Sequence, residues 1–191
     1  MAGEQEASRS NAGALTLEQT IMFLLETPLF EQLSATELAE VVGIMQVQRL
    51  REGQVLFREG DEGDAWYVIF EGMCSVRKES DVGPSRHIAD LGPRTCFGEM
   101  AVLDGSARSA AVAAVEPTTL FRFRRGPFSG LLSSGSLAAF KLVHAMARVL
   151  CHRQRQITQQ LSEVINEEPT DRRKALRAQL GTLLDSSAVS E

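Results

Sequence analysis

The sequence predicts a mixed α+β protein in which an antiparallel, jelly-roll-like β-roll of about eight strands is flanked by helices. Short runs rich in β-branched and aromatic residues, separated by glycine turns, occupy the middle of the chain. Apolar residues before and after this middle part recur at helical spacing. A chain of 191 residues, of which 43% are apolar, is long enough for one such core with appendages.

Two helices are predicted before the roll, within residues 14–43. The first begins at Thr16 and ends at Pro28, because the proline ring cannot continue a helix. The second begins at Ser34, since a serine followed three residues later by Glu37 is the pattern of a capping box. The apolar positions are Leu17, Ile21, Leu24 and Leu25 in the first helix, and Leu38, Val41 and Val42 in the second.

The roll itself is predicted over residues 44–125. Its runs are short and bounded by glycine, which is typical of strands joined by tight turns and suits a small antiparallel roll or barrel. The individual strands predicted are 45–50, 54–57, 65–70, 73–78, 86–91, 109–114 and 118–124.

A hinge at Gly126-Pro127-Phe128 and a long helix from Leu137 to Glu167 are predicted over residues 126–168. A helix of about 30 residues is about 45 Å long, which exceeds what one small domain can cover. Its apolar residues lie close to heptad spacing, which favours a homodimer through this helix. Packing of the helix on its own roll is the alternative. The apolar residues are Val143, Met146, Leu150, Ile157, Leu161 and Val164, with Gln154 interrupting the series.

The two ends of the chain differ from the middle. Residues 1–13 are small and polar without hydrophobic periodicity, and we predict that they are disordered. Residues 169–191 contain a short amphipathic segment, which is predicted to form a short helix followed by a tail. The leucines of that segment are Leu176, Leu180, Leu183 and Leu184.

The most informative residues lie between positions 97 and 112. Gly98 lets the backbone approach a ligand closely, and free N–H groups at the start of a helical turn favour an anion. Arg108 returns after a short turn, and its planar guanidinium suits two phosphate oxygens at once. The ionised Glu99 can only accept hydrogen bonds, which suits a sugar hydroxyl. One loop therefore has the groups to bind both a phosphate and a sugar.

Phe97-Gly98-Glu99 and Arg108-Ser109-Ala110, in this order and at this spacing, resemble the phosphate-binding cassette of the cyclic nucleotide-binding domain family. The glycines and strands of residues 53–72 also fall where the β-roll of that family has its early turns. The resemblance covers roughly residues 28–160. It implies a ligand-binding set of Phe97, Gly98, Glu99, Met100, Ala101, Arg108, Ser109 and Ala110.

The resemblance also implies a role for each residue. Glu99 binds the ribose 2′-hydroxyl, and Arg108 binds the exocyclic phosphate oxygens. The amides of Gly98, Met100 and Ala101 cradle the ligand. A hydroxyl at Ser109 adds a contact to the phosphate or the base, or it bonds only to its own loop.

The base of the ligand is not determined by the sequence. A hydroxyl beside the arginine favours cyclic GMP in this family, but cyclic AMP receptors also carry one, so the ligand is cAMP or cGMP. In the family a residue of the last helix covers the base. The candidates for this cap here are Arg148, His144 and Cys151, which share one face of the predicted long helix with Ala147.

The implied function is that of a regulatory sensor, in which a cyclic nucleotide shifts a conformational equilibrium. The output is expected to pass to an unidentified effector protein or through the dimer. The alternative is a ligand-free dimerisation or docking scaffold with the same fold. The presence of both Glu99 and Arg108 favours the sensor.

Other function classes are disfavoured by the composition. His87 is the one histidine in the predicted roll, too few for a histidine-rich metal centre, and no Gly-x-Ser-x-Gly elbow occurs. We therefore predict neither enzymatic activity nor a metal site. The net charge of −5 argues against general nucleic-acid binding, and the segment after Pro169 is too short for a winged DNA-binding domain.

The sequence also predicts a cytoplasmic protein. No apolar run approaches the roughly 20 residues of a membrane span, and the first residues do not form a signal peptide. The three cysteines are widely separated and are expected to be reduced thiols. We interpret Cys74 and Cys151 as packing residues and assign no such role to Cys96.

Overall fold

The computed structural model describes residues 15–79, 83, 85–167, 174 and 178. The predicted disordered segment 1–13 lies outside the described residues, as does the predicted amphipathic tail apart from Lys174 and Ala178. The chain divides into two compact units, the first ending at Met146 and the second beginning at Ala147.

The described elements follow one another in the predicted order of helices, strands and helices. Helices α1 (Leu17–Leu25) and α2 (Ala35–Gly43) are separated by a 3₁₀ turn at Pro28–Phe30. The strands are β1 (Met45–Leu50), β2 (Val55–Phe57), β3 (Ala65–Glu71), β4 (Cys74–Lys78), β5 (Arg86–Leu91), β6 (Cys96–Phe97), β7 (Ala111–Ala114) and β8 (Thr118–Arg124). The later helices are α3 (Glu99–Asp104, between β6 and β7), α4 (Arg125–Ser133) and α5 (Leu137–Glu167).

The eight strands form two four-stranded antiparallel sheets, which confirms the predicted β-roll. The first sheet has the order β1-β8-β3-β6, and the second has the order β2-β7-β4-β5. Strand β1 pairs with β8 over its whole length, from Met45 opposite Phe123 to Leu50 opposite Thr118. The first and last strands are therefore neighbours, and this long-range pairing closes the roll.

Strand β3 separates two cores, because its side chains alternate between the two faces of the sheet. Trp66 and Val68 pack with the helices, whereas Tyr67 and Ile69 pack between the sheets. Trp66 is fully buried and stacks on Phe123 with ring centroids 4.0 Å apart. The helix-side core is therefore aromatic at its centre.

The N-terminal helices begin with two capping boxes. The Ser34 hydroxyl accepts a hydrogen bond from the Glu37 amide at 3.3 Å, and the Ser34 amide donates to the Glu37 carboxylate at 2.7 Å. Thr16 and Gln19 form the same reciprocal pair at the start of α1. The first box confirms the prediction at Ser34, and the second follows the same three-residue spacing.

The apolar face predicted for α1 is wrong at two positions. Leu17 is 65% exposed and Leu25 is 50% exposed, while Thr20 and Phe23 are buried. Thr20 tolerates burial because its hydroxyl donates to the Thr16 carbonyl at 3.0 Å. The helix is therefore rotated from the predicted orientation, and the Phe23 ring faces the roll.

Helix α4 and strand β6 differ from the sequence predictions. Gly126, Pro127 and Phe128, predicted as a hinge, lie in the first turn of α4. Proline is tolerated there because the first amides of a helix have no partner within it. Strand β6 was not predicted, since its two residues carry no periodicity of their own.

Helix α5 has the predicted bounds and runs through both units. In the first unit Leu142 and Met146 are fully buried. In the second unit Ile157 and Leu161 are 51% and 45% exposed. The side chain of Val164, predicted as part of the same apolar series, lies outside the described residues.

The cysteines divide between core and surface. Cys74 and Cys96 are buried, and burial raises the pKa of the Cys74 thiol to about 11. The packing role predicted for Cys74 is confirmed. Cys151 is exposed, so its predicted packing role is wrong within the described structure.

No helix among the described residues is both long enough and apolar enough to span a membrane.

Candidate ligand-binding site

The cassette begins with a strand that leads directly into a short helix. Phe97, the last residue of β6, is buried and stacks on Tyr67 with ring centroids 5.3 Å apart. Gly98 then has φ 73° and forms the N-cap of α3 without a side-chain hydrogen bond. A left-handed residue at this place turns the chain sharply from the strand into the helix.

The positive φ favours glycine at position 98, and the space for a side chain there is also limited. A Cβ built on Gly98 would lie 2.7 Å from Nη1 of Arg108. Real Cβ atoms do not approach other heavy atoms so closely, so a larger residue displaces the guanidinium. The lack of a side chain at Gly98 therefore leaves room for the guanidinium at this position.

A second close approach holds the other side of α3. A Cβ on Gly63 would lie 2.1 Å from the Cβ of Ala101, which is itself buried. Arg125, the first residue of α4, donates from Nη2 to the Ala101 carbonyl at 2.8 Å. The short helix is therefore fixed between the loop before β3 and the start of α4.

Arg108 is buried among carbonyl groups and aromatic rings. Its Nη1 donates to the Gly98 carbonyl at 2.9 Å, and its Nη2 donates to the Ala65 carbonyl at 2.7 Å. The guanidinium carbon lies 4.2 Å from the centroid of the Phe57 ring. Its Nε has no hydrogen-bond partner within the described part of the chain. Arg108 is therefore a cation held largely by neutral groups.

The electrostatic surroundings of Arg108 contain charges of both signs. Burial lowers the pKa of the guanidinium, and Asp64 and Tyr67 act in the opposite direction. Nη2 of Arg108 lies 3.7 Å from Oδ1 of Asp64. Arg122 and Arg125 are near enough to lower the pKa of Arg108 further. A site with this excess of cations favours an anionic ligand.

The main chain of Arg108 is anchored to the loop before β3. Its amide donates to the Asp61 carbonyl at 2.8 Å, and its carbonyl accepts from the Gly60 amide at 2.9 Å. The preceding turn is closed by Asp104, which accepts from both the amide and the hydroxyl of Ser106. The Ser106 hydrogen bonds hold the pKa of Asp104 below its usual value.

The remaining predicted residues differ in exposure. Glu99 is 2% exposed, whereas Met100 is 46% exposed. Ser109 is exposed and Ala110 is half-buried. The Ser109 carbonyl accepts a hydrogen bond from Nζ of Lys78 at 3.0 Å, which ties the end of the cassette to β4.

The three predicted base-capping residues all lie on α5. His144, Arg148 and Cys151 are exposed there. Their spacing of three or four residues places them along one side of the helix, as the sequence predicts.

Sequence reasoning missed Arg122, whose Nη2 forms an ion pair with Oδ2 of Asp64. The alternation of side chains along β8 could have identified Arg122. Arg122 is two residues from Leu120, which packs between the sheets, so both project from the same face of β8. An arginine on an inward face is unusual enough to mark a functional or structural role.

No group of three or more histidine, cysteine, aspartate or glutamate side chains in the described ranges is arranged to hold a metal ion.

The sequence matches a family model and individual relatives. The family model "Cyclic nucleotide-binding domain" matches residues 47–134. The cyclic AMP receptor protein of Thermus thermophilus is 33% identical over 162 residues, which are 82% of this chain and 73% of the relative. The regulatory subunit of cAMP-dependent protein kinase from Mycosarcoma maydis is 32% identical over 122 residues, which cover 58% of this chain but 23% of the subunit.

Solved structures agree with the sequence relatives. The catabolite activator protein of Thermus thermophilus matches with a TM-score of 0.64 and 31% identity, covering 72% of this chain and 62% of that one. A cyclic nucleotide-binding domain from Methylobacillus flagellatus matches with a TM-score of 0.67 and 26% identity, covering 76% and 82%. The chain belongs to the cyclic nucleotide-binding domain family.

Proposed function

We propose that the chain is a cyclic nucleotide sensor in which binding at residues 97–112 shifts a conformational equilibrium. The family supplies a regulatory, non-catalytic fold, which supports binding without turnover. The observation that carries the proposal is the buried Arg108, held in place by Gly98 and bonded to neutral carbonyl groups.

Arg108 binds the phosphate in this proposal. Its present acceptors, the carbonyls of Ala65 and Gly98, are uncharged. A phosphate carries a full negative charge that a carbonyl lacks, so its attraction to the guanidinium adds to the hydrogen bonds. A phosphate therefore draws the guanidinium away from these carbonyls, and the amides of Gly98, Met100 and Ala101 complete the anion site.

Glu99 binds the ribose. It is the first residue of α3, beside the glycine that contacts Arg108, and its carboxylate can accept from a hydroxyl. Ser109 supplies a hydroxyl to the phosphate or the base. Phe97 and Ala110 complete the ligand-binding set on either side of these groups.

A route from the cassette to the later helices starts at Arg125. This residue begins α4, and its side chain is bonded to the Ala101 carbonyl in α3. Its amide also donates to the Asp64 carbonyl at 2.7 Å. A movement of α3 towards the phosphate is therefore passed to α4. A differential affinity of about 1–3 kcal/mol between the two states is enough for useful coupling.

The proposal also covers the base of the ligand, the partner and the location. The ligand is cAMP or cGMP, and the names of two relatives make cAMP the first to test. We retain His144, Arg148 and Cys151 as predicted base-capping residues. We also propose a homodimer through α5, supported by its exposed Ile157 and Leu161, with output to an effector protein in the cytoplasm and without direct DNA binding.

Isothermal titration of the purified protein with cAMP, cGMP and 5′-AMP tests the proposal. We expect micromolar or tighter binding of one cyclic nucleotide and at least about 100-fold weaker binding by Arg108→Gln, because a charged hydrogen-bonded pair is lost. Arg124→Gln, which removes an exposed arginine from the end of β8, is the matched control and retains the affinity. Absence of binding to both cyclic nucleotides would instead support the ligand-free scaffold.

A further inference from the structure

Asp64, in the loop that precedes β3, lies between two arginines. Its Oδ2 forms an ion pair with Nη2 of Arg122, and its Oδ1 lies 3.7 Å from Nη2 of Arg108. The Arg108 side chain is 2% exposed, whereas that of Asp64 is 50% exposed. One accessible carboxylate therefore serves as counter-ion for two guanidinium groups.

Arg122 projects from the inner face of the roll. It lies opposite Tyr67 in the pairing of β3 with β8, and directly opposed residues project from the same face. Tyr67 packs between the sheets and stacks on Phe97 of the cassette. The Arg122 side chain is 27% exposed, so it is partly shielded from solvent beside the proposed phosphate site.

The Asp64 carboxylate lies closer to Arg122 than to Arg108. Arg122 is in direct contact with the carboxylate, while the contact with Arg108 is longer than a hydrogen bond. If Arg122 is removed, Arg108 is the cation left beside Asp64 within this cluster. The carboxylate then occupies the same guanidinium atoms that a phosphate needs, and the two anions repel each other.

We propose that Arg122 is a positioning residue for phosphate binding, which keeps Asp64 engaged and thereby leaves Arg108 available to an anionic ligand. This inference rests on the proposed function, because it assumes that Arg108 is the phosphate ligand. Arg122 thereby raises the affinity for the ligand without contacting it.

The affinity for cAMP and cGMP of four variants tests the role. Arg122→Gln weakens binding about tenfold, since the freed carboxylate competes at close range in a partly buried site. Arg122→Lys retains most of the affinity because it keeps the charge. Asp64→Asn removes the competitor and binds at least as tightly as the wild type.

The decisive variant combines Arg122→Gln with Asp64→Asn. It restores affinity to within about threefold of Asp64→Asn alone, because the carboxylate that competed is absent. A merely structural Arg122 predicts no rescue. The proposal is overturned if the double variant binds no better than Arg122→Gln, or if Arg122→Gln binds like the wild type.

A measurement without ligand separates this inference from the proposed function. Denaturant unfolding of Asp64→Asn, Arg108→Gln and their combination gives the coupling between Asp64 and Arg108. We expect a larger coupling when the cycle is repeated in the Arg122→Gln background. If the coupling rises but no variant binds a cyclic nucleotide, the competition is supported and the proposed function fails. An unchanged coupling overturns the inference whatever the ligand does.

Discussion

The two faces of strand β3 have different surroundings, because alternate residues of the strand project to opposite sides of the sheet. On the helix side, Trp66 is fully buried and stacks on Phe123, in a core made of aromatic and aliphatic side chains. On the inner side, Tyr67 lies beside Arg108 and opposite Arg122. The helix-side face therefore excludes water from apolar groups, whereas the inner face combines apolar packing with charged groups held close together.

The two faces are expected to contribute differently to the stability of the fold and to ligand affinity. Apolar burial stabilises the fold in proportion to the area removed from water. Buried charges contribute little net stability, because desolvation offsets much of their attraction. We therefore expect substitutions on the helix side to change the free energy of unfolding, and substitutions on the inner side to change ligand affinity most.

The largest effect is expected for Trp66→Ala on the helix side. Loss of the indole leaves a cavity beside Phe123 and lowers the free energy of unfolding by about 3–5 kcal/mol. Denaturant unfolding followed by far-UV circular dichroism measures it. Trp66→Phe is the milder control, because it keeps the ring stacking and removes an indole N–H that has no partner among the described residues. Equal losses for the two variants would contradict the cavity explanation.

On the inner side, removal of Glu99 is expected to weaken ligand binding less than removal of Arg108. Arg108→Gln loses charge-assisted bonds to an anion, about 100-fold in affinity, whereas Glu99→Gln keeps an acceptor oxygen and loses only the charge assistance of one bond to a neutral hydroxyl, about tenfold at most. Calorimetric titration of both variants with the same cyclic nucleotide gives the order. Retained affinity in Arg108→Gln, together with a loss in Glu99→Gln, would reverse the assigned roles.

Gly98→Ala tests whether the position of the Arg108 side chain matters for binding, because it displaces the guanidinium without removing it. The new Cβ meets Nη1 of Arg108 at 2.7 Å, and we expect about tenfold weaker ligand binding. Gly105→Ala is the matched control, since Gly105 has a similar φ of 77° but no atom near its Cβ position within 4 Å. Both variants lose stability through backbone strain. If Gly105→Ala weakens binding equally, strain and not the displaced guanidinium explains the loss.

The smallest effect is expected for Ser34→Ala, which removes a helix cap remote in sequence from the cassette. The capping box at α2 is lost, and the free energy of unfolding falls by about 1 kcal/mol. Cyclic nucleotide affinity is expected to stay the same. Thr36→Ala, an exposed change in the same helical turn, is the control for helix propensity and leaves stability unchanged or slightly raised.

Much of the local structure followed from the sequence. The predicted bounds of β1, β5, β8 and α5 agree with the structure. In each of these segments the residue pattern is sustained over several residues, so the local signal is strong. The family prediction is also confirmed, and residues 97–112, which carry the resemblance, lie within the stretch 47–134 that the family model matches.

Helix α4 shows why other segments were not predicted. Gly126, Pro127 and Gly130 give it a low intrinsic helix propensity. Its Phe128 is buried, with its ring centroid 5.8 Å from that of Trp66. Contact with a residue distant in sequence therefore stabilises a helix that local preferences oppose.

The sequence by itself determined the family and the order of the elements, and it predicts the residues of the candidate site. These depend on residue types at fixed spacings along the chain. Only the tertiary structure decided that Arg108 is buried against Ala65 and Gly98, and that Asp64 lies between Arg108 and Arg122. The direction of a side chain and its counter-ion depend on strands that pair across the roll, and no local pattern specifies those distances.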